Sequence, residues 1–133
     1  MVNIINIENK NQILAAKYKY DMLIFYISGE FCNPCKILKP NLFNLLENNS
    51  NYEINLGIIT YKTSEDMKTE NSKEMNSYFN VKKIPYLVCC VNGNIIDSLQ
   101  SSDINIVKPF LEKSFNLEFL ENKSQDDFMS DDF

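Results

Sequence analysis

Six apolar residues in a row, Met22-Leu23-Ile24-Phe25-Tyr26-Ile27, lie between Asp21 and Ser28-Gly29 and lead directly into Cys32-Asn33-Pro34-Cys35. A strand apolar at every position offers no face to water, so it is expected at the centre of a sheet, covered on both sides. Beyond the cysteines, Leu38, Leu42, Leu45 and Leu46 fall at helical spacing with Lys36, Lys39, Asn44 and Glu47 between them, up to Asn48-Asn49-Ser50-Asn51. A buried strand that turns into an amphipathic helix is the basic unit of an α/β fold.

The rest of the chain fits that unit. Val2 to Ile7 is short and β-branched and reads as a first or edge strand, and Glu8 to Lys19, with Ile13, Leu14, Ala15 and Ala16, as a modest helix. Ile54, Leu56 and Ile58 alternate as in a strand, and Ser64 to Phe79, with early acids Glu65 and Asp66, reads as one weaker helix. Tyr86 to Val91 and Asn94 to Leu99 form a hairpin about Asn92-Gly93, a pair suited to the two positive φ angles of a type I′ turn. A last helix is expected from Asp103 to about Leu120, with Pro109 either kinking it or sitting in its first turn.

Composition narrows the chemistry. The chain has no histidine, which removes Ser-His and Cys-His nucleophile pairs and every His-ligated metal site. Its 13 basic residues are all Lys against 18 acids, a balance of −5 that argues against a nucleic-acid binder. The excess is local, because Glu118 to Phe133 carries six acids and one Lys while residues 1–117 are neutral. We therefore expect one domain over residues 1–120 and an acidic, disordered tail over 121–133. No apolar run exceeds six residues, against about 20 for a spanning helix, and the start has neither a basic region nor a long apolar stretch. A monomer that stays in the compartment of its synthesis, the cytoplasm, is expected. Its 19 Asn and lack of Arg look like the codon bias of an A+T-rich genome, at home in some large DNA viruses and parasites, and a viral source would add packaging in the virion.

Four cysteines remain, and two stand in a telling place. Side chains three apart on a helix have Cβ atoms roughly 5–6 Å apart, and a disulfide needs about 3.5–4.5 Å, so a slightly tightened first turn joins Cys32 to Cys35. With Cys32 as N-cap, Asn33 and Pro34 occupy positions whose amides have no helical partner, and the positive helix end favours a thiolate on Cys32. Two other readings are open at this point, an inert pair and half of a zinc site. Zinc would need two further ligands, and Cys89 and Cys90, adjacent on a strand, point to opposite faces. These two read as small core hydrophobes, so neither metal nor other cofactor is expected.

The motifs together resemble the thioredoxin family over about residues 1–117. Cys32-Asn33-Pro34-Cys35-Lys36 is similar to that family's Cys-Gly-Pro-Cys-Lys, and Pro40 stands where its members kink the same helix. Val81-Lys82-Lys83-Ile84-Pro85-Tyr86 is similar to the segment ending in the family's cis-proline, and beside the Cys pair a cis bond at Pro85 is expected over the other reading, a trans proline that merely opens a strand. The resemblance implies the thioredoxin fold, a central mixed sheet of about five strands flanked by about four helices. It also implies a thiol–disulfide oxidoreductase in which Cys32 attacks a protein disulfide and Cys35 resolves the adduct. Phe31, Asn33, Pro34, Ile84 and Pro85 would form the substrate-binding rim, and an unidentified reductase or oxidase would exchange electrons with the pair.

Four departures stand beside these matches. Phe31 replaces the usual Trp, Asn33-Pro34 replaces the Gly-Pro dipeptide with which the superfamily tunes its redox poise, Ser101 stands where a small Gly follows the fifth strand, and Tyr26 replaces the buried Asp six residues before the first Cys. That Asp helps proton transfer at the resolving cysteine, so slow resolution is expected here. The departures also suggest a rival, a binding or structural module with little redox activity; a thiol oxidase partner or isomerase is a further alternative.

Overall fold

The computed structural model describes residues 2–120, so the expected acidic tail lies outside the described residues. The elements are β1 (Asn3–Asn6), α1 (Lys10–Lys19), β2 (Met22–Gly29), α2 (Asn33–Asn48), β3 (Asn55–Tyr61), α3 (Glu70–Phe79), β4 (Tyr86–Val91), β5 (Asn94–Gln100) and α4 (Ile104–Phe115). The five strands make one sheet in the order β1-β3-β2-β4-β5. β2 is its centre, parallel to β3 and antiparallel to β4, and β1 is an edge, as the two segments' patterns predict.

Because strand side chains alternate, β2 feeds two cores. Ile24 and Tyr26 join Leu38, Leu42, Leu45, Leu46, Val107 and Leu111 under α2 and α4. Leu23, Phe25 and Ile27 join Ile13, Ala16, Met75 and Phe79 under α1 and α3 on the other face. The same alternation sends Cys89 into the first core and Cys90 into the second. Both are buried free thiols facing opposite sides of the sheet, so they cannot converge on one ion.

Two expected helices have different bounds. Ser64 to Phe79 is broken into a 3-10 turn, Ser64–Lys68, and α3, because Thr63 and Thr69 each cap a start. Thr63 and Asp66 form a reciprocal capping box, and the Thr69 hydroxyl accepts from the Ser72 amide, so two short starts satisfy more amides locally than one continuous helix. The last helix ends at Phe115, where Asn116 turns left-handed with φ 55°, rather than near Leu120. Pro109 sits in its second turn, past the first, and has no N–H to offer the Asn105 carbonyl. The hairpin turn is as read, with φ of 52° at Asn92 and 83° at Gly93.

Asn49, at the end of α2, is buried and holds the last described residues. Its Nδ2 donates to the Leu45 and Leu120 carbonyls at 2.8 and 3.3 Å, and its Oδ1 accepts from the Leu120 amide at 2.7 Å.

Candidate active site

The central strand delivers the chain to the end of the sheet at Gly29, and α2 begins four residues later, so Cys32 is held at the point where sheet and helix meet. Cys32 is the N-cap, with extended backbone at φ −98° and ψ 109°, and its Sγ accepts from the Cys35 amide at 3.2 Å. Asn33 and Pro34 occupy the first helical positions, and the Lys36 amide closes the first turn on the Cys32 carbonyl at 3.2 Å. Cys32 and Cys35 are joined by a disulfide across a Cα separation of 5.2 Å. Cys35 is the deeper of the two, at 3% exposure against 8%. The N-cap sulfur therefore sits where helix amides point outward, a place that favours negative charge after reduction.

The loop before β4 completes the mouth. The Ile84–Pro85 peptide is cis, as read from the segment's resemblance, and the Ile84 carbonyl oxygen lies 3.9 Å from Cys32 Sγ. Phe31 packs back over Gly29, where a Cβ would stand 2.6 Å from its ring and 3.1 Å from Ile84 Cδ1. Glycine at 29 thus lets Phe31 and Ile84 meet beside the disulfide.

Of the rim residues read from the sequence, Phe31, Asn33 and Pro34 are exposed and Ile84 is half-buried. Pro85 is buried. One exposed apolar residue near the cysteines in sequence was not singled out from the sequence. Ile37, 61% exposed, stands three residues after Pro34 on the outer face of α2. Its signal was an isoleucine out of phase with the Leu38, Leu42, Leu45 stripe.

Behind Cys35 stands Tyr26, fully buried, whose hydroxyl donates to the Cys35 carbonyl at 3.3 Å. Burial pushes its phenol pKa up, with an opposing pull from the Ser28 hydroxyl, so at neutral pH it holds its proton. Beside the two residues a cavity of about 180 Å³ is lined by Tyr26, Ser28, Glu30, Cys35, Lys36 and Lys39 among others. Ser101 follows β5 directly, with its Oγ accepting from the Asp103 amide at 3.1 Å.

The other thiols are chemically quiet. Burial pushes Cys89 up to about 12, against a lowering by Ser114. Burial also raises Cys90, to about 11, against the pull of the Lys17 ammonium. Both hold their protons at neutral pH, and a thiol is a weak nucleophile. Among the described residues no three or more Cys, Asp or Glu side chains gather as a metal cluster would require, and no helix is long and apolar enough to cross a membrane.

No family model and no curated protein matches the chain. Solved structures do. The oxidised thioredoxin of Plasmodium falciparum superposes with a TM-score of 0.66 at 15% identity, over 84% of this chain and 97% of that one. Mitochondrial thioredoxin 3 of Saccharomyces cerevisiae gives 0.65 at 15%, over 83% and 94%. Thioredoxin f2 of Chlamydomonas reinhardtii gives 0.66 at 12%, over 84% and 95%. At such identities the backbone carries the likeness, and it shows that this chain has the thioredoxin fold.

Proposed function

We propose that the protein is a thiol–disulfide oxidoreductase acting on protein disulfides through Cys32 and Cys35. The observation that carries this reading is the placing of the disulfide. Cys32 caps α2 beside the Ile84 carbonyl, and Phe31, Pro34 and Ile37, its neighbours in the chain, are exposed. A structural disulfide gains nothing from lying at a helix start at an open apolar mouth, whereas a nucleophilic sulfur gains both charge stabilisation and access.

In the reduced enzyme the Cys32 thiolate attacks one sulfur of a substrate disulfide, and the other substrate sulfur leaves as a thiolate. Cys35, deprotonated, then attacks Cys32 Sγ, forming the bond seen here and releasing the second substrate sulfur. The pair loses two electrons and the substrate gains them. In reverse the pair oxidises dithiols.

Phe31, Asn33, Pro34 and Ile37 supply contact area, and the Ile84 backbone offers a hydrogen-bond acceptor to an extended substrate segment. The partners are protein disulfides or thiols and a reductase or oxidase that resets the pair. Action as a monomer in the cytoplasm belongs to the same proposal. Its test is insulin reduction driven by dithiothreitol, with Cys32→Ser as control. Acceleration that vanishes in the variant supports the reading, and a folded wild type no faster than buffer would favour a binding module instead.

A further inference from the structure

Resolution requires the Cys35 thiol to lose its proton inside the fold, and the structure limits where that proton can go. The surroundings of Cys35 on the α2 face offer four titratable side chains around the cavity: Tyr26 from β2, Glu30 from the turn after it, and Lys36 and Lys39 from α2. A lysine ammonium has only donors and accepts nothing. The Tyr26 hydroxyl is already committed as a donor to the Cys35 carbonyl, and its burial favours the neutral form. Glu30 is the one carboxylate of the four. Its backbone is fixed by a 2.8 Å bond from its amide to the Tyr61 carbonyl, and the residue lines the same space as Cys35. A cavity of about 180 Å³ has room for several waters, each of which takes roughly 30 Å³ in the liquid.

We propose that Glu30 receives the Cys35 proton through water in this cavity, in place of a carboxylate on β2. The inference rests on the oxidoreductase reading and deepens it. The Cys35 S–H bond breaks, the proton passes along water to the Glu30 carboxylate, and the thiolate attacks Cys32 Sγ while the substrate thiolate leaves. Glu30 is exposed and returns the proton to solvent before the next turnover. Resolution at neutral pH is then not limited by the missing acid at position 26, which replaces the expectation of slow resolution. Lys36 and Lys39 add positive charge on the same wall, which steadies the thiolate as it forms.

Charge alone acts in the opposite sense to proton acceptance, and this makes the inference testable. Removing the negative charge of Glu30 makes a nearby thiolate easier to form, so a purely electrostatic role would speed resolution in Glu30→Gln. Loss of a proton acceptor would slow it. Reduced protein is mixed with 5,5′-dithiobis(2-nitrobenzoate) in a stopped-flow instrument. The first thionitrobenzoate released reports attack by Cys32, and the second reports resolution by Cys35.

Glu30→Gln is expected to leave the first phase unchanged. Its second phase is expected to be roughly tenfold slower at neutral pH, below the 10²–10⁴ typical of an enclosed general base because solvent reaches the cavity. The difference should close as pH passes the free thiol value of about 8.5, and Glu30→Asp should recover part of the rate. A second phase in Glu30→Gln equal to or faster than wild type, or slowed equally at every pH, overturns the role. A wild type that releases no first equivalent refutes the oxidoreductase reading, and this inference with it.

Discussion

Substituting Tyr26 by phenylalanine, and separately by aspartate, divides the work of its ring from that of its hydroxyl. The ring is fully buried in the core under α2 and α4. The hydroxyl donates at 3.3 Å to the Cys35 carbonyl, a group inside α2 that also has a helical partner. Tyr26→Phe therefore removes one bond from an acceptor that keeps another, and should cost about 0.5–1.5 kcal/mol. Tyr26→Asp removes the ring, at about 3–5 kcal/mol by analogy with aromatic truncation to Ala, and also places a carboxyl in a buried position. A domain with a stability of about 5–15 kcal/mol would then stand close to unfolding. Urea unfolding of the oxidised forms measures both costs. Kinetics supply the second arm: a phenol held neutral by burial is no base, so Tyr26→Phe should resolve its mixed disulfide within about twofold of wild type. A phenylalanine variant as unstable as the aspartate one, or one that resolves tenfold or more slowly, would refute this division.

Cys35→Ser should accumulate mixed disulfides with substrate proteins on Cys32, read as adducts on non-reducing gels, whereas equal trapping by Cys32→Ser would reverse the two roles. Cys89 and Cys90 have folded pKa values raised to about 12 and about 11. Their stabilising contribution is complete below the unfolded thiol value of about 8.5 and is lost as pH rises toward those folded values. In chemical unfolding, Cys89→Ala should flatten the fall in stability above about pH 9 by roughly 1.4 kcal/mol per pH unit, and an unchanged slope would show that Cys89 is not buried as a neutral thiol. Asn80 ends α3 in the left-handed region at φ 58°, so Asn80→Ala should destabilise by about 1–2 kcal/mol while Asn80→Gly does not. Equal melting temperatures for those two variants would show that the left-handed turn contributes nothing.

The elements that were legible in the sequence are those in which one physical signal dominates. Met22 to Ile27 declared a strand buried on both faces because no residue in it could meet water. The Cys32 N-cap followed from a proline two positions later and from the leucine stripe beyond it. Other features were hidden because the deciding interactions are local polar ones that hydrophobic period does not register. The break at Thr69 depends on two threonine caps, and the end of α4 on a left-handed Asn116. Abundant asparagine looked like a mark of genome composition, yet Asn80, Asn92 and Asn116 hold the positive φ angles among non-glycine residues described, and Asn49 fastens the last described residues to α2. At the helix start, the Cys32–Cys35 pairing and the cis bond between Ile84 and Pro85 were readable from motif. The cavity that Cys35 and Glu30 both line was not, because its walls come from β2, β3, α2 and the turn after β2 and exist only once the strands and helix are packed.

A working redox couple formed by Cys32 and Cys35 has a measurable reduction potential, read by equilibrating the protein in thiol–disulfide buffers of known poise. A reversible two-electron couple between about −270 and −120 mV is expected, the span of known dithiol oxidoreductases. Cys32→Ser and Cys35→Ser should each abolish it, and Cys89→Ala should leave it unchanged. A potential below about −300 mV, where structural disulfides lie, would contradict such a couple and make the bond a staple of the fold.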